Sequence, residues 1–178
     1  MRVSESMIHG TTQIYGVIGD PISHSLSPSL HNPAFAALGM DAVYVTFRVS
    51  PSSLGDALRG LLALNVQGIN VTVPHKSDVF QYLDEVTDTA RKIGAVNTLR
   101  NDSGHWIGEN TDAIGFIRSL TPLGLNLSGS SVGMLGAGGA ASGVAVGLLE
   151  AGVSRLLICN RNHDPVSYTH LTLPTMLP

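Results

Sequence analysis

The turn Gly136-Ala137-Gly138-Gly139-Ala140-Ala141 constrains this chain more than any other stretch. An apolar run of strand length, Ser130–Leu135, leads into it, and a run of helix length, Ala140–Ala151, leads away. Gly-x-Gly-x-x-Ala placed between a strand and a helix is a dinucleotide fingerprint. Gly136 permits the tight turn, Gly138 lets backbone approach a pyrophosphate, and Ala141 keeps helix and strand close. The helix N-terminus offers the anion free N–H groups and a positive dipole end. Taken alone, the turn also fits glycines that merely punctuate a small-residue crossing.

The next strand, Arg155–Asn160, sharpens the reading. An NAD site places an acid roughly 20 residues after the fingerprint to take the ribose hydroxyls. Here the sequence runs Cys159-Asn160-Arg161, and no acid follows until Asp164. Arg161 suits a 2′-phosphate, with Asn160 as a neutral donor, so NADP is preferred over NAD. An exposed strand-end charge is the alternative for Arg161. Cys159 is expected to be a small buried apolar residue.

Upstream, strand and helix patterns alternate. Strands are expected at Gln13–Ile18, Ala42–Val49 (Val43, Val45, Phe47 and Val49 on one face) and Gly68–Val73, stopped by Pro74. A helix should run from Ser27, its cap, towards Leu38, with Pro33 kinking it or moving its start to Asn32. A second follows Ser50-Pro51, with Leu54, Leu58, Leu61 and Leu62 on one stripe. Short helical pieces are expected at Ser77–Tyr82 and Thr87–Ile93. Ala95–Arg100 and His105–Gly108 read as strands around the turn Asn101-Asp102-Ser103-Gly104, and Thr111–Leu120 as a helix. This alternation implies an α/β fold with a mostly parallel sheet, followed by a separate β-α-β unit. The boundary is expected near Thr121–Gly124, giving domains 1–121 and 122–162. Residues 163–178, with three prolines and no period, are expected to be a disordered or non-native tail.

Composition excludes several classes. Hydrophobic residues make up 43% and charged ones 13%, which argues against disorder. The net charge of −3, without a basic run, argues against nucleic acid. One cysteine leaves no disulfide framework or Cys-based zinc site, and points to a reducing, cytoplasmic setting. No residue between Ser119 and Leu149 carries a full charge, but Pro122, Asn126 and several Ser and Gly argue against a membrane span. The seven histidines show no metal-ligand spacing.

The first part carries polar residues with no evident structural need. Ser25 and Ser27 precede a helix and suit a carboxylate, although Ser27 also suits a plain cap. Asn70 and Thr72 share one strand face, with Lys76 close behind, at the end of a parallel strand where α/β sheets bind ligands. Lys76 is a candidate general acid or base, or else a solvated lysine after Pro74. Asn97 and Asp112 are further candidates, Asp112 also suiting a helix cap. His24, His31 and His75 suit surface or capping positions.

Six motifs, in order, resemble the shikimate dehydrogenases. They are Tyr15-Gly16-Val17-Ile18-Gly19-Asp20-Pro21-Ile22-Ser23-His24-Ser25-Leu26-Ser27-Pro28; Asn70-Val71-Thr72-Val73-Pro74-His75-Lys76; Ile93-Gly94-Ala95-Val96-Asn97-Thr98; Gly108-Glu109-Asn110-Thr111-Asp112; the Gly136–Ala140 turn; and Asn160-Arg161. The resemblance covers 14–162. It implies a shikimate-binding domain, the start of a Rossmann domain, and NADPH-dependent, reversible reduction of 3-dehydroshikimate to shikimate. By the same resemblance Ser25 and Ser27 hold the substrate carboxylate, and Asn70, Thr72, Asn97 and Asp112 bind ring hydroxyls and carbonyl. Lys76 is the catalytic lysine paired with Asp112. Gly136, Ala137, Gly138, Gly139 and Ala140 hold the pyrophosphate, Asn160 and Arg161 the 2′-phosphate, and Asp88 matches a cofactor-linked acid of some members.

The family continues well past Asn162, so a truncated chain, inactive or weakly active, is expected. An NAD-preferring quinate/shikimate dehydrogenase and a non-catalytic shikimate-binding module are the alternatives. The partner is a small molecule, and the chain a monomer or homodimer.

Overall fold

The computed structural model describes residues 8–137 and 140–160. Gly138, Gly139, Arg161 and the tail therefore lie outside the described residues. Two compact units emerge. Among the described residues, those up to Asp88 join Val96–Glu109 in one; Thr89–Ala95 and those from Asn110 to Asn160 form the other.

The first unit is built on a six-stranded sheet. Its strands are β1 (Gln13–Gly19), β2 (Ala42–Arg48), β3 (Gly68–Val71), β4 (Glu85–Val86), β5 (Thr98–Asp102) and β6 (His105–Glu109), in the order β2-β1-β3-β5-β6-β4. The β1–β2, β1–β3 and β4–β6 pairs are parallel; β3–β5 and β5–β6 are antiparallel. The hairpin between β5 and β6 turns at Ser103 (φ +54°) and Gly104 (φ +88°), the two positive angles that a two-residue turn needs to match strand twist.

Register sorts the side chains into two faces. On one lie Ile18, Ile69, Leu99 and Trp106, all buried; in α2 (Leu54–Ala63) Leu54, Leu58 and Leu61 are buried, as its stripe foretold. The indole Nε1–H of Trp106 donates to the Leu58 carbonyl at 3.1 Å. On the other face Val17 and Tyr44 are buried with Ile22, and Tyr15 and Phe35 pack against them. Val43, Val45 and Phe47 do share a β2 face, but they are only half-buried, because β2 is an outer strand; Tyr44, on the opposite face, is 4% exposed.

Helix α1 (Ser27–Ala37) runs unbroken through Pro33 and contains no buried residue. Proline removes one backbone donor, and the acceptor it would have served, the Ser29 carbonyl, is on an exposed residue where water substitutes. Ser27 is not the cap: Leu26 holds the N-cap position, and the Ser25 hydroxyl accepts from the Ser27 N–H at 3.3 Å. β3 is shorter than expected, although the Thr72 N–H still donates to Ile18 at 3.0 Å.

The second unit contains most of α3 (Asp88–Ile93), α4 (Asp112–Leu120), β7 (Ser131–Leu135), α5 (Ala141–Glu150) and β8 (Arg155–Cys159). β7 and β8 pair in parallel across α5, a β-α-β unit. Helix α4 belongs with this unit because it packs closely on α5. A Cβ on Gly147 would sit 3.0 Å from the Ala113 carbonyl oxygen, and one on Gly143 would sit 3.1 Å from the Asp112 Cβ. Ile93, Ala95, Ala113 and Val146 close a small core there. Among the described residues one face of the β7–β8 pair stays open: Leu135 is 91% exposed. Cys159, opposite Leu135 in register, is exposed with it and not buried as its strand pattern suggested. No helix among the described residues is long and apolar enough to cross a membrane.

Candidate functional site

In the first unit one candidate residue, Asn70, is bonded to a buried phenol, that of Tyr44. Tyr44 is fastened at its backbone by the side chain of Asn32. The amide Nδ2 donates to the Tyr44 carbonyl at 3.0 Å, and Oδ1 accepts from the Tyr44 N–H at 2.8 Å. This satisfies two backbone groups on the outer edge of β2. The His31 ring stacks on the phenol, 4.3 Å between centroids at 13°. His31 is thus a packing residue, and not merely a surface one.

The phenol O–H donates to Asn70 Oδ1 at 2.6 Å. Asn70 Nδ2 reaches the Asn97 carbonyl and Thr98 Oγ1, each at 3.3 Å, and the Thr98 hydroxyl donates to Asn97 Oδ1 at 2.8 Å. The Asn97 carbonyl can only accept, which assigns Nδ2 to that side of the amide and Oδ1 to the phenol. A cavity of about 330 Å3 opens here, bordered among others by His31, Phe35, Tyr44, Asn70 and Thr98. That is the size of a small-molecule pocket.

Burial pushes the Tyr44 phenol up to about 12, with a hydrogen bond from the Ser27 hydroxyl pulling the other way. The neutral phenol is therefore favoured in the folded state. Its contribution to stability is complete below pH 10 and is lost as pH rises towards 12. Tyr44→Phe should remove about 3 kcal/mol at most from the alkaline fall in stability. Urea unfolding at pH 9 and pH 11.5 checks this; an unchanged difference between the two pH values would contradict it.

Lys76 is half-buried, and its carbonyl accepts from the Val96 N–H at 2.8 Å. The lysine's turn is thereby tied to the segment carrying Asn97, itself 8% exposed. His75 departs from the expected surface position. It is fully buried, its Nε2 2.7 Å from the Val49 carbonyl, and its Nδ1 has no hydrogen-bond partner. Ser25, Ser27 and Thr72 are half-buried, and Asp88 is exposed at the first position of α3. The residue missed by sequence reading is Tyr44. Its signal was a lone polar aromatic on the β2 face opposite the valines.

In the second unit Asp112 opens α4 without capping it. Asn110, buried, accepts from the Asp112 N–H at 2.9 Å and donates to the Ala95 carbonyl at 2.9 Å. At the glycine turn Gly136 has φ +102°, a conformation that side chains rarely adopt, and its N–H donates to the Cys159 carbonyl at 2.8 Å. Ala137 is buried and Ala140 occupies the N-cap of α5. The first turn of α5 has no acid and no side-chain cap, leaving its N–H groups to an anion. As far as they are described, these residues fit a dinucleotide phosphate. Asn160, half-buried, follows β8 directly.

A mixed open sheet with polar side chains at a strand end, and a separate β-α-β unit with a glycine turn, define an α/β protein of the architecture in which strand ends and such turns are common ligand sites. Residues 17–99 match the family model described as the shikimate dehydrogenase substrate binding domain. The chain is 48% identical over 168 residues to the shikimate dehydrogenase (NADP(+)) of Symbiobacterium thermophilum, covering 94% of this chain and 57% of that one. The shikimate dehydrogenase structure from Aquifex aeolicus superposes with a TM-score of 0.86 at 44% identity, over 90% of this chain and 60% of that one. The shikimate 5-dehydrogenase of Listeria monocytogenes, solved with shikimate and NAD, gives 0.86 at 41% identity, over 91% and 56%. Over the part that it spans, the chain is similar to shikimate dehydrogenases, and it spans somewhat more than half the length of these relatives.

Proposed function

We propose that this chain is the substrate-binding part, residues 1–121, and the first cofactor-binding β-α-β, residues 122–162, of an NADP-dependent shikimate dehydrogenase. The observation that carries the reading is the linked set Tyr44, Asn70, Thr98 and Asn97 beside a small cavity, in a unit whose sequence matches the family's substrate domain. The Ser25 and Ser27 hydroxyls hold the substrate carboxylate. Asn70, Thr72 and Asn97 bond its ring oxygens. Lys76 delivers a proton to the oxygen of the carbonyl being reduced, and withdraws it in the reverse direction. Asp112 enters on its sequence motif, as do Asp88, Gly138, Gly139, Asn160 and Arg161 on the cofactor side. When bound, NADPH supplies the hydride; the turn at Gly136–Ala140 and the first turn of α5 hold its pyrophosphate.

The test has two arms. Calorimetric titration of shikimate into the 178-residue chain should give saturable binding. The same chain, joined at Asn160 to the remaining residues of the Symbiobacterium relative, should oxidise shikimate faster with NADP than with NAD. Absence of shikimate binding in both proteins would overturn the reading. Binding without turnover in the joined protein would leave a binding module.

A further inference from the structure

Two of the residues assigned to the substrate, Asn70 and Asn97, are linked, and Asn70 is bonded to a third that is not so assigned. The Tyr44 phenol donates its proton to Asn70 Oδ1, 2.6 Å away. With Oδ1 occupied, the Asn70 amide has only N–H to offer elsewhere. Its two bonds there are long, 3.3 Å each, the kind that yields to a better acceptor. The chain continues through Thr98 to Asn97. Tyr44 itself has little freedom: Asn32 grips its backbone at 2.8 and 3.0 Å, His31 stacks on its ring, and it is 4% exposed.

We propose that Tyr44 is a positioning residue of the substrate site, orienting Asn70 so that it presents a donor N–H to a ring oxygen of the ligand. This deepens the shikimate reading and rests on it. Without the phenol O–H, Asn70 Oδ1 loses its donor and the amide is released to rotate. Tyr44→Phe removes that one hydroxyl and keeps the stacked ring and the Asn32 clamp.

The experiment is a double-mutant cycle on the 178-residue chain, read by calorimetric titration with shikimate. Circular dichroism confirms that each variant is folded. Y44F should weaken shikimate binding about tenfold, the scale of one or two neutral hydrogen bonds. Asn70→Ala should weaken binding clearly in the wild-type background and by a much smaller factor in the Y44F background, because the phenol acts through Asn70. A merely structural tyrosine would give the same N70A factor in both backgrounds. That additivity, or Y44F binding as well as wild type, would overturn the inference and leave the shikimate reading intact. Failure of the wild-type chain to bind shikimate would overturn both. A ligand-independent check is the Asn70 side-chain amide in NMR spectra. Its two proton signals should shift on Y44F; unchanged signals would contradict the proposed orientation.

Discussion

Lys76→Ala is expected to lower kcat by roughly 10²–10⁴, with a much smaller change in KM. The lysine stands in a turn whose carbonyl is pinned to Val96, so its backbone holds its place when the side chain is cut. What disappears is the group that moves the proton to or from the substrate oxygen. Two of the residues assigned to hold that substrate, Asn70 and Asn97, keep their bond to each other and their bonds to Thr98. The measurement is steady-state shikimate oxidation in the protein joined at Asn160 to the rest of the Symbiobacterium relative. An unchanged kcat would remove Lys76 from the chemistry. A raised KM at constant kcat would make it a binding residue.

Trp106→Ala is expected to lower the unfolding free energy by about 3–5 kcal/mol. The indole is 2% exposed between the sheet and α2, and its N–H is bonded to Leu58. Truncation leaves a large cavity lined by Leu58, Leu99 and their neighbours, and neither strand nor helix can close it without breaking the β5–β6 register. Trp106→Phe restores most of the volume but not the N–H, so it should recover more than half of the loss. Urea unfolding followed by circular dichroism reads both variants, since this is the chain's one tryptophan and fluorescence would vanish with it. A loss below about 1 kcal/mol for the alanine variant would show that the core is carried elsewhere.

The fold was legible where the pattern was local. The leucine stripe of α2, the Ser103-Gly104 hairpin and the strand–turn–helix around Gly136 each follow from residue types at short spacing. The errors came where neighbours decide. In β2 the one buried residue, Tyr44, stands on the face opposite Val43, Val45 and Phe47, which stay half-buried on an outer strand. Cys159 is exposed because the described β7–β8 pair is covered on one face only, which no strand pattern can report. Ser27 proved to be inside its helix rather than its cap, a shift of one position that side-chain propensity does not resolve. His75 vanished into the interior because its ring found the Val49 carbonyl, a partner 26 residues away. For the candidate site, motifs supplied Asn70, Lys76 and Asn97. The phenol bonded to Asn70 lies in no motif, and only strand register brings it there.

The helix that carries Ser27 is buttoned to the sheet rather than glued to it. No residue of α1 is fully withdrawn from solvent; Phe35 packs on the core cluster, and the side chains of His31 and Asn32 both meet the sheet at the same tyrosine. Apolar burial tolerates sliding, whereas a bidentate amide clamp and a stacked ring allow one seating. Hydrogen exchange is accordingly expected to show α1 opening at a lower free energy than the core across the sheet. The serine proposed to meet the substrate would then sit on an element that, after each opening, returns to the same place.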